Sequence, residues 1–471
     1  MLAAPPAPAT DVRTGRTLAR LLSDAGFTHA GLAARLGRLE DAPPRRDVPV
    51  YVRRLGPPDE LGVVARLLAL ELAVPAAEAE RLVQPQLLRL LCETGLAEPD
   101  GDAYRPAARL TPHEELVVAS DVHTEPPAQD FVPGAQGPSR MLAALTVRRP
   151  VERALDVGTG CGWQALLAAR HARTVVATDV SRRALAYAAF NAALNGIENV
   201  ELRAGSFFEP VAGELFDLVV SNPPYPISPG GEFVFRDGGL GRDGVSAHVA
   251  RTLPMHLQPG GFGAVLIAWV EGGIAPRSWL TGAACDAWLF RTWSHDALAA
   301  AATWNSDEPD PREYAERVER WLAYYEREQI ERIGYGCLVV RRRADGDGWF
   351  RDVALGGRPA AAGEQVERLF SAEDYLVDAD DERLLADRLM RAPGAVLMRE
   401  SSAGATRWSL RLEGGLGLAA ALDSRTAALV EALDGRRTLA RALELAAPAA
   451  VDAGLQIARG LIAGGFVTPV Q

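Results

Sequence analysis

The chain has 471 residues, 48% of them hydrophobic and 24% charged, with 61 acidic against 50 basic residues and a net charge of -11. That length suggests several domains with ample core, and the composition excludes collagen-like, disordered and disulfide-scaffold chains. The acidic balance gives no overall support for binding a phosphate backbone. Every basic residue is Arg, in a sequence rich in Ala, Gly and Pro, which points to GC-rich codons rather than to phosphate recognition.

In chain order, MLAAPPAPAT lacks the basic and apolar regions of a leader, and no apolar run of about 18 residues follows anywhere. A cytoplasmic chain with no membrane partner is expected. Cys92, Cys161, Cys285 and Cys337 are far apart and form no CxxC pair, so no metal site and no disulfide framework is predicted. Residues 1–112 read as one helical domain. Helical spacing runs through Leu18, Leu21 and Leu22, through Leu61, Val64, Leu67 and Leu68, and through Leu87, Leu88, Leu90 and Leu91. Gly95 then stops the third helix, and Glu98–Asp102 reads as the turn of a hairpin, so the order is that of a winged helix. With 14 Arg and 14 acidic residues in 1–110, this part is formally neutral.

Residues 113–355 alternate between strand and helix. Ala154–Val157, Thr174–Thr178, Val200–Arg203 and Leu218–Ser221 are short β-branched runs. Gly263–Ala268, Ala287–Thr292 and Cys337–Arg341 are further strand candidates, and Pro311–Glu328 is a charged amphipathic helix. The alternation predicts an α/β fold with a doubly wound parallel sheet. After a linker at 356–363, residues 364–471 form a second small domain with 12 Arg and 16 acidic residues. Its helices start near Ser424, Thr438 and Val451, and an extended Phe466–Val470 closes it, again resembling a winged helix.

Four motifs in the central domain carry chemistry. ALDVGTGCG places Asp156, Gly158, Thr159, Gly160 and Gly162 directly after a strand, where glycines let the backbone approach a ligand. Trp163 stands where a dinucleotide fingerprint would want its third glycine, so a cofactor without a pyrophosphate fits better, and S-adenosyl-L-methionine (SAM) has none. Asp179, followed by Val180, ends the second strand 19 residues after Gly160 and can accept hydrogen bonds from both ribose hydroxyls; its alternative is to cap the helix that begins after Ser181. In AGSFFEP, Ser206 and Phe207 sit where an adenine would lie. A plain core role is the competing reading for Phe207 and Phe208.

The fourth motif, FDLVVSNPPYPI, puts Asn222, Pro223, Pro224 and Tyr225 just past a strand end, the edge of an open α/β sheet at which ligands bind. Two prolines stiffen the loop and remove two donors. The Asn222 oxygen and the Pro223 carbonyl remain as acceptors beside the flat Tyr225 ring, a set suited to a planar –NH2 group. Orientation and stabilisation of positive charge on nitrogen would then drive transfer without a strong base.

Residues about 150–271 resemble class I SAM-dependent methyltransferases of the NPPY group, and within it the HemK-type release-factor glutamine methyltransferases. LDVGTGCG, ATDVSRRALAYAAFNAALNG, FFEP, FDLVVSNPPYPI, RDGGLGRDG and LQPGGFGAVLI carry the likeness. It implies a seven-stranded, Rossmann-like SAM-binding fold and an Asn222 that hydrogen-bonds the nitrogen being methylated. The implied substrate is a protein or peptide, most simply a Gln or Asn side chain; the same chemistry on an exocyclic amine of RNA or DNA is the alternative. The central domain's net charge of -7, which is -11 less 0 and less -4, weighs against nucleic acid, and Arg341–Arg343 reads as a solvated strand end. Three features depart from the family. Ser206 replaces an Asp, FVPGAQGPS at 131–139 stands in place of an R-P-x-T-E element, and neither flank resembles the HemK helical domain.

Overall fold

Runs of Val, Leu and Ala bounded by turns pair in parallel because each is followed by a helix that carries the chain back across the sheet. In the computed structural model the strands of the central domain are β1 (Val151–Val157), β2 (Ala172–Asp179), β3 (Val200–Ala204), β4 (Phe216–Ser221), β5 (Leu257–Val270), β6 (Cys285–Asp296), β7 (Arg332–Arg342) and β8 (Phe350–Ala354). Their order in the sheet is β8-β6-β7-β5-β4-β1-β2-β3. The stretch from β5 to β3 is parallel throughout, whereas β7 runs antiparallel to β5. The sheet therefore has eight strands, not the seven implied by the family resemblance, because a short additional strand, β8, extends one edge. The described residues are 6–37, 45–123, 130–230, 240–306, 308, 310–402, 405–446 and 451–470.

Contacts group the chain into two compact units. The first holds Met1–Leu142, Arg149–Ala287 and Trp293–Trp349; the second holds Ala143–Arg148, Trp288–Thr292 and Phe350–Gln471. Within the first, α1 (Trp163–Ala168) follows β1 and α2 (Arg182–Leu194) follows β2. The N-terminal helices predicted from leucine spacing are Val12–Asp24, Glu60–Leu68 and Pro85–Glu93, with their leucines buried except Leu61, which is half-buried. A hairpin, Ala97–Asp100 with Ala103–Pro106, follows the third.

The N-terminal segment packs directly against the strand-helix alternation. Gly15 permits this: a Cβ there would collide with the Ala193 carbonyl of α2. A second hairpin, Arg109–His113 with Leu116–Ser120, runs through position 112. Its outer strand is held by two amide side chains from the α2 end. Asn191 accepts from the Ala119 N–H at 2.7 Å and donates to its carbonyl at 2.9 Å, and Asn195 does the same to Val117 at 2.9 and 2.8 Å. Residues four apart on a helix thus match residues two apart on a strand, because both repeats are about 6–7 Å. Beyond the hairpin, the buried Asp121 pairs with Arg183 and accepts from the Tyr187 hydroxyl at 2.6 Å.

In the second unit, helices Ser424–Ala432, Leu439–Ala446 and Val451–Ala463 lie where the sequence predicts them. They bury Val430, Leu439, Leu443, Leu461 and Ile462 with Leu384, Leu389 and Phe466 in one cluster. The closing strand, Val467–Pro469, pairs with Arg388–Arg391. A meander of Ala395–Ser402, Ala405–Leu412 and Ala419–Leu422 was not predicted.

Candidate active site

Register places the four motifs in a row. Val157 of β1 pairs with Ser221 of β4 on one side and with Thr178 of β2 on the other, and Asp179 pairs with Ala204 of β3. The next residues, Asn222, Gly158, Asp179 and Gly205, therefore emerge along one sheet edge at the point where strand order reverses, the usual ligand crevice of such sheets.

The glycine loop turns under its own side chains. Gly158, Gly160 and Gly162 all have positive φ, between 56° and 86°. A Cβ on Gly162 would press on Ala188 of α2 at 3.1 Å, so this glycine sets helix packing. A Cβ on Gly158 or Gly160 would meet nothing within 4 Å, so these two leave an open cradle against bare backbone. Asp156 lies beneath, 1% exposed. Its Oδ2 accepts from the Thr159 hydroxyl at 2.6 Å and from the Ala165 N–H at 3.0 Å, while Oδ1 is buried with no hydrogen-bond partner. Burial pushes its pKa up to about 7 despite those two bonds, with nearby Asp179 adding a smaller push. An unpartnered buried carboxylate oxygen under an open cradle fits the cationic amino end of SAM, which would supply both the charge and the missing donors.

Asp179 is not the cap of the following helix; Ser181 takes that place, accepting from the Ala184 N–H. Asp179 instead receives the Gly160 N–H on Oδ2 at 2.9 Å and the Ser181 N–H on Oδ1 at 2.8 Å. Burial raises its pKa, and those backbone donors partly offset the rise. Each oxygen retains lone-pair capacity for a ribose hydroxyl. Val180 beside it is 62% exposed, an apolar face open at the sheet edge. Ser206 and Phe207 lie across from it and are half-buried, and Phe207 has a left-handed backbone, φ 45°. The Thr178 hydroxyl holds the Phe207 carbonyl at 3.2 Å, and His248 packs edge-on to its ring. Phe208, by contrast, is buried and stacked on His256. The two phenylalanines differ: Phe208 is core, whereas Phe207 is half-buried against His248 with a left-handed backbone.

At β4, the Asn222 side chain donates from Nδ2 to the Ser139 hydroxyl oxygen at 3.1 Å, and among the described residues its Oδ1 accepts nothing. The Pro223 carbonyl accepts from the Tyr225 N–H at 2.7 Å, closing a tight turn that leaves it one lone pair. The Tyr225 ring is buried, edge-on to Trp304, whose Nε1 donates to the Tyr335 hydroxyl at 2.9 Å. Burial raises the Tyr225 pKa, so its hydroxyl stays protonated. The loop is fastened further along by the Tyr325 hydroxyl, which donates to the Ile227 carbonyl at 2.9 Å from the helix Pro311–Arg327. Sequence reasoning missed Ser139, Trp304, Tyr325 and Tyr335. The only signal for Ser139 was that its segment occupies the place of the family's R-P-x-T-E element. Of RDGGLGRDG, residues 236–239 lie outside the described residues, and Gly244 opens a helix, Gly244–Thr252. Arg341 and Arg343 do not form a solvated strand end: both bond the fully buried Asp286. Among the described residues, no group of three His, Cys, Asp or Glu could hold a metal, and no helix is long and apolar enough to cross a membrane.

Known proteins are similar to this chain in sequence. Residues 136–232 match the methyltransferase small domain family, and residues 24–107 match a domain of unknown function (DUF7059). The release factor glutamine methyltransferase of Xylella fastidiosa is 40% identical over 133 residues, 26% of this chain and 48% of that protein. The ribosomal protein uL3 glutamine methyltransferase of Bradyrhizobium diazoefficiens is 38% identical over 125 residues, 24% of this chain and 39% of that one. The chain thus spans about half the length, or less, of these curated relatives. The likeness to the HemK type expected from the motifs is borne out: the central region is similar to these glutamine methyltransferases and carries a methyltransferase domain, for which SAM is the methyl donor.

Proposed function

We propose that this domain transfers the methyl group of SAM to the side-chain amide nitrogen of a protein glutamine. The observation that carries the reading is the adjacency of Asn222 and Gly158 on neighbouring parallel strands, with Oδ1 of Asn222 uncommitted. SAM, when bound, supplies an electrophilic methyl on a sulfonium centre. Asp156, Thr159 and the cradle of Gly158, Gly160 and Gly162 would hold its amino-acid end, Asp179 its ribose, and Val180, Ser206 and Phe207 its adenine. Asn222 Oδ1 and the remaining lone pair of the Pro223 carbonyl would each take one hydrogen of the acceptor –NH2, and Tyr225 would stiffen the wall behind it. An amide nitrogen is a weak nucleophile because its lone pair is shared with the carbonyl. Fixing both N–H bonds turns that lone pair toward the methyl, and the two acceptors stabilise the positive charge that grows on nitrogen.

Relatives named as release factor and ribosomal protein glutamine methyltransferases support a protein substrate, and the pairing of Arg341 and Arg343 with Asp286 leaves those two arginines less free to hold a phosphate backbone. A protein substrate in a cytoplasmic setting, with the flanking segments 1–112 and 364–471 as winged-helix-like recruiting domains around a catalytic segment 113–355, completes the reading. The test is tritium transfer from labelled SAM to purified release factor and to ribosomal protein uL3, with mass spectrometry of the product. Label on a glutamine supports the proposal. Label in RNA or DNA of a cell extract, with none in protein, refutes it.

A further inference from the structure

We infer that Ser139 is the positioning residue that holds the Asn222 amide by its nitrogen and leaves its oxygen for the acceptor, an inference that rests on the reading of Asn222 above. The two ends of an asparagine amide have nearly the same shape and opposite chemistry: one accepts hydrogen bonds, the other donates two. An acceptor –NH2 must meet the oxygen. The prolines at 223 and 224 fix the backbone of the loop but not the terminal torsion of Asn222, which is broad and two-fold. In this structure the nitrogen end is the one engaged, and the oxygen is left uncommitted. Among the described residues the only side-chain hydrogen bond of Asn222 is Nδ2 to the Ser139 Oγ, 3.1 Å away and 83 residues earlier in the chain.

Ser139 is itself held. It lies in the helix Gly137–Leu145, and its carbonyl accepts from the Gln164 Nε2 at 2.7 Å. Gln164 is buried on α1, the helix that opens directly after the glycine loop. The path from glycine loop to Gln164 to Ser139 to Asn222 therefore ties the orientation of the acceptor-binding amide to the cofactor side of the crevice. It also gives a role to FVPGAQGPS, the segment that departs from the family's R-P-x-T-E pattern.

The experiment measures single-turnover methyl transfer to release factor and SAM affinity by calorimetry in Ser139→Ala, Ser139→Thr, Asn222→Ala and the double variant Ser139→Ala/Asn222→Ala. Ser139→Ala is expected to slow transfer about tenfold, the loss of one ordinary hydrogen bond, with the dissociation constant of SAM changed by less than about twofold. Ser139→Thr, which keeps the hydroxyl, is expected to recover most of that loss. The double variant should be no slower than Asn222→Ala, because Ser139 acts only through that side chain. Wild-type or faster transfer in Ser139→Ala overturns the inference, since a hydroxyl that donated to Oδ1 would have held the amide the wrong way round. Full additivity in the double variant overturns it as well. Loss of transfer in Asn222→Ala with none in Ser139→Ala leaves the proposed function standing and removes this inference alone; normal transfer in Asn222→Ala removes the proposed function first. Should release factor accept no methyl from the wild-type protein, the Asn222 side-chain amide signal in ¹⁵N-labelled protein decides. Slower hydrogen exchange in wild type and Ser139→Thr than in Ser139→Ala supports the bond, and equal exchange in all three refutes it.

Discussion

The β1–β2 side of the crevice and the β4 side are built by opposite means. On the β1–β2 side, side chains turn inward to hold backbone: Asp156 takes the Ala165 N–H, and Asp179 takes the N–H groups of Gly160 and Ser181. Every one of those partners lies within residues 156–181. On the β4 side, the polar atoms that matter belong to side chains fixed from far away. Ser139 orients Asn222, Tyr335 anchors the Trp304 that backs Tyr225, and Tyr325 holds the Ile227 carbonyl from 98 residues downstream. A cofactor that never varies suits a site written into one local stretch.

If the two sides are separable, substitutions on one should leave the other's readout in place. The largest expected effect is on the β4 side. Asn222→Ala should cut methyl transfer by about 10²–10³-fold, the usual cost of removing one preorganised polar group. SAM affinity should stay within about 1 kcal/mol of wild type by calorimetry. Asn222→Asp, which keeps an acceptor oxygen, should retain more turnover than Ala. A comparable loss of SAM binding in either variant would merge the two sides.

On the proposed cofactor side, Asp156 should make binding depend on pH. Its carboxyl titrates at about 7 in the cofactor-free protein, well above the usual carboxylate range, because it is buried. A cation placed beside Oδ1 lowers that pKa, so binding below pH 7 must expel a proton. SAM affinity should therefore fall up to tenfold per pH unit as pH drops below about 7, and be flat above it. Calorimetry in buffers of different ionisation heat reads the released proton directly. The same carboxyl acts on stability with the opposite trend. A folded-state pKa raised above the unfolded 3.8 means that its contribution is fully present below that value and is lost as pH rises toward about 7. Asp156→Asn should remove both dependences, weakening SAM binding by about 2 kcal/mol while raising Tm at pH 8. A pH-independent affinity in wild type would place the amino end of SAM elsewhere.

Asp179→Ala comes next, with a loss of about 1.5–3 kcal/mol in SAM affinity, the range for hydrogen bonds to a charged group. The smallest expected effect separates the paired phenylalanines. Phe207→Ala should lower SAM affinity by about 1 kcal/mol, the scale of one aromatic contact, with Tm nearly unchanged. Phe208→Ala should chiefly lower Tm, because its ring is buried on His256. Interchanged outcomes would mean that Phe207 is core and Phe208 is not.

Much of the framework was legible before any coordinates. The strands β1 to β4 begin and end within a few residues of Ala154–Val157, Thr174–Thr178, Val200–Arg203 and Leu218–Ser221, because short β-branched runs between turn residues admit few other conformations. Ser181 as a helix cap and the Asn195–Gly196 stop followed from side-chain chemistry alone. The meander at 395–422 is less legible because its first strand, AVLMRESS, does not alternate, although Arg407–Leu412 of the second does, and its pairing rests on partners the local pattern does not name. The extra edge strand β8 escaped for the same reason: an edge strand with exposed residues carries no burial signature.

What the sequence by itself determined was the cofactor side: a glycine must stand where φ is positive, and an acidic residue at a strand end must find donors, and both demands are met by neighbours a few residues away. Tertiary structure alone decided the rest. Only folding brings Ser139 to Asn222, commits Arg341 and Arg343 to the buried Asp286, and sends Phe208 inward while Phe207 stays half-buried. The physical reason is the reach of the interactions. Backbone conformation and capping are settled within one turn of chain, whereas the direction of an amide, the partner of a charge and the facing of a ring depend on whatever the fold places beside them.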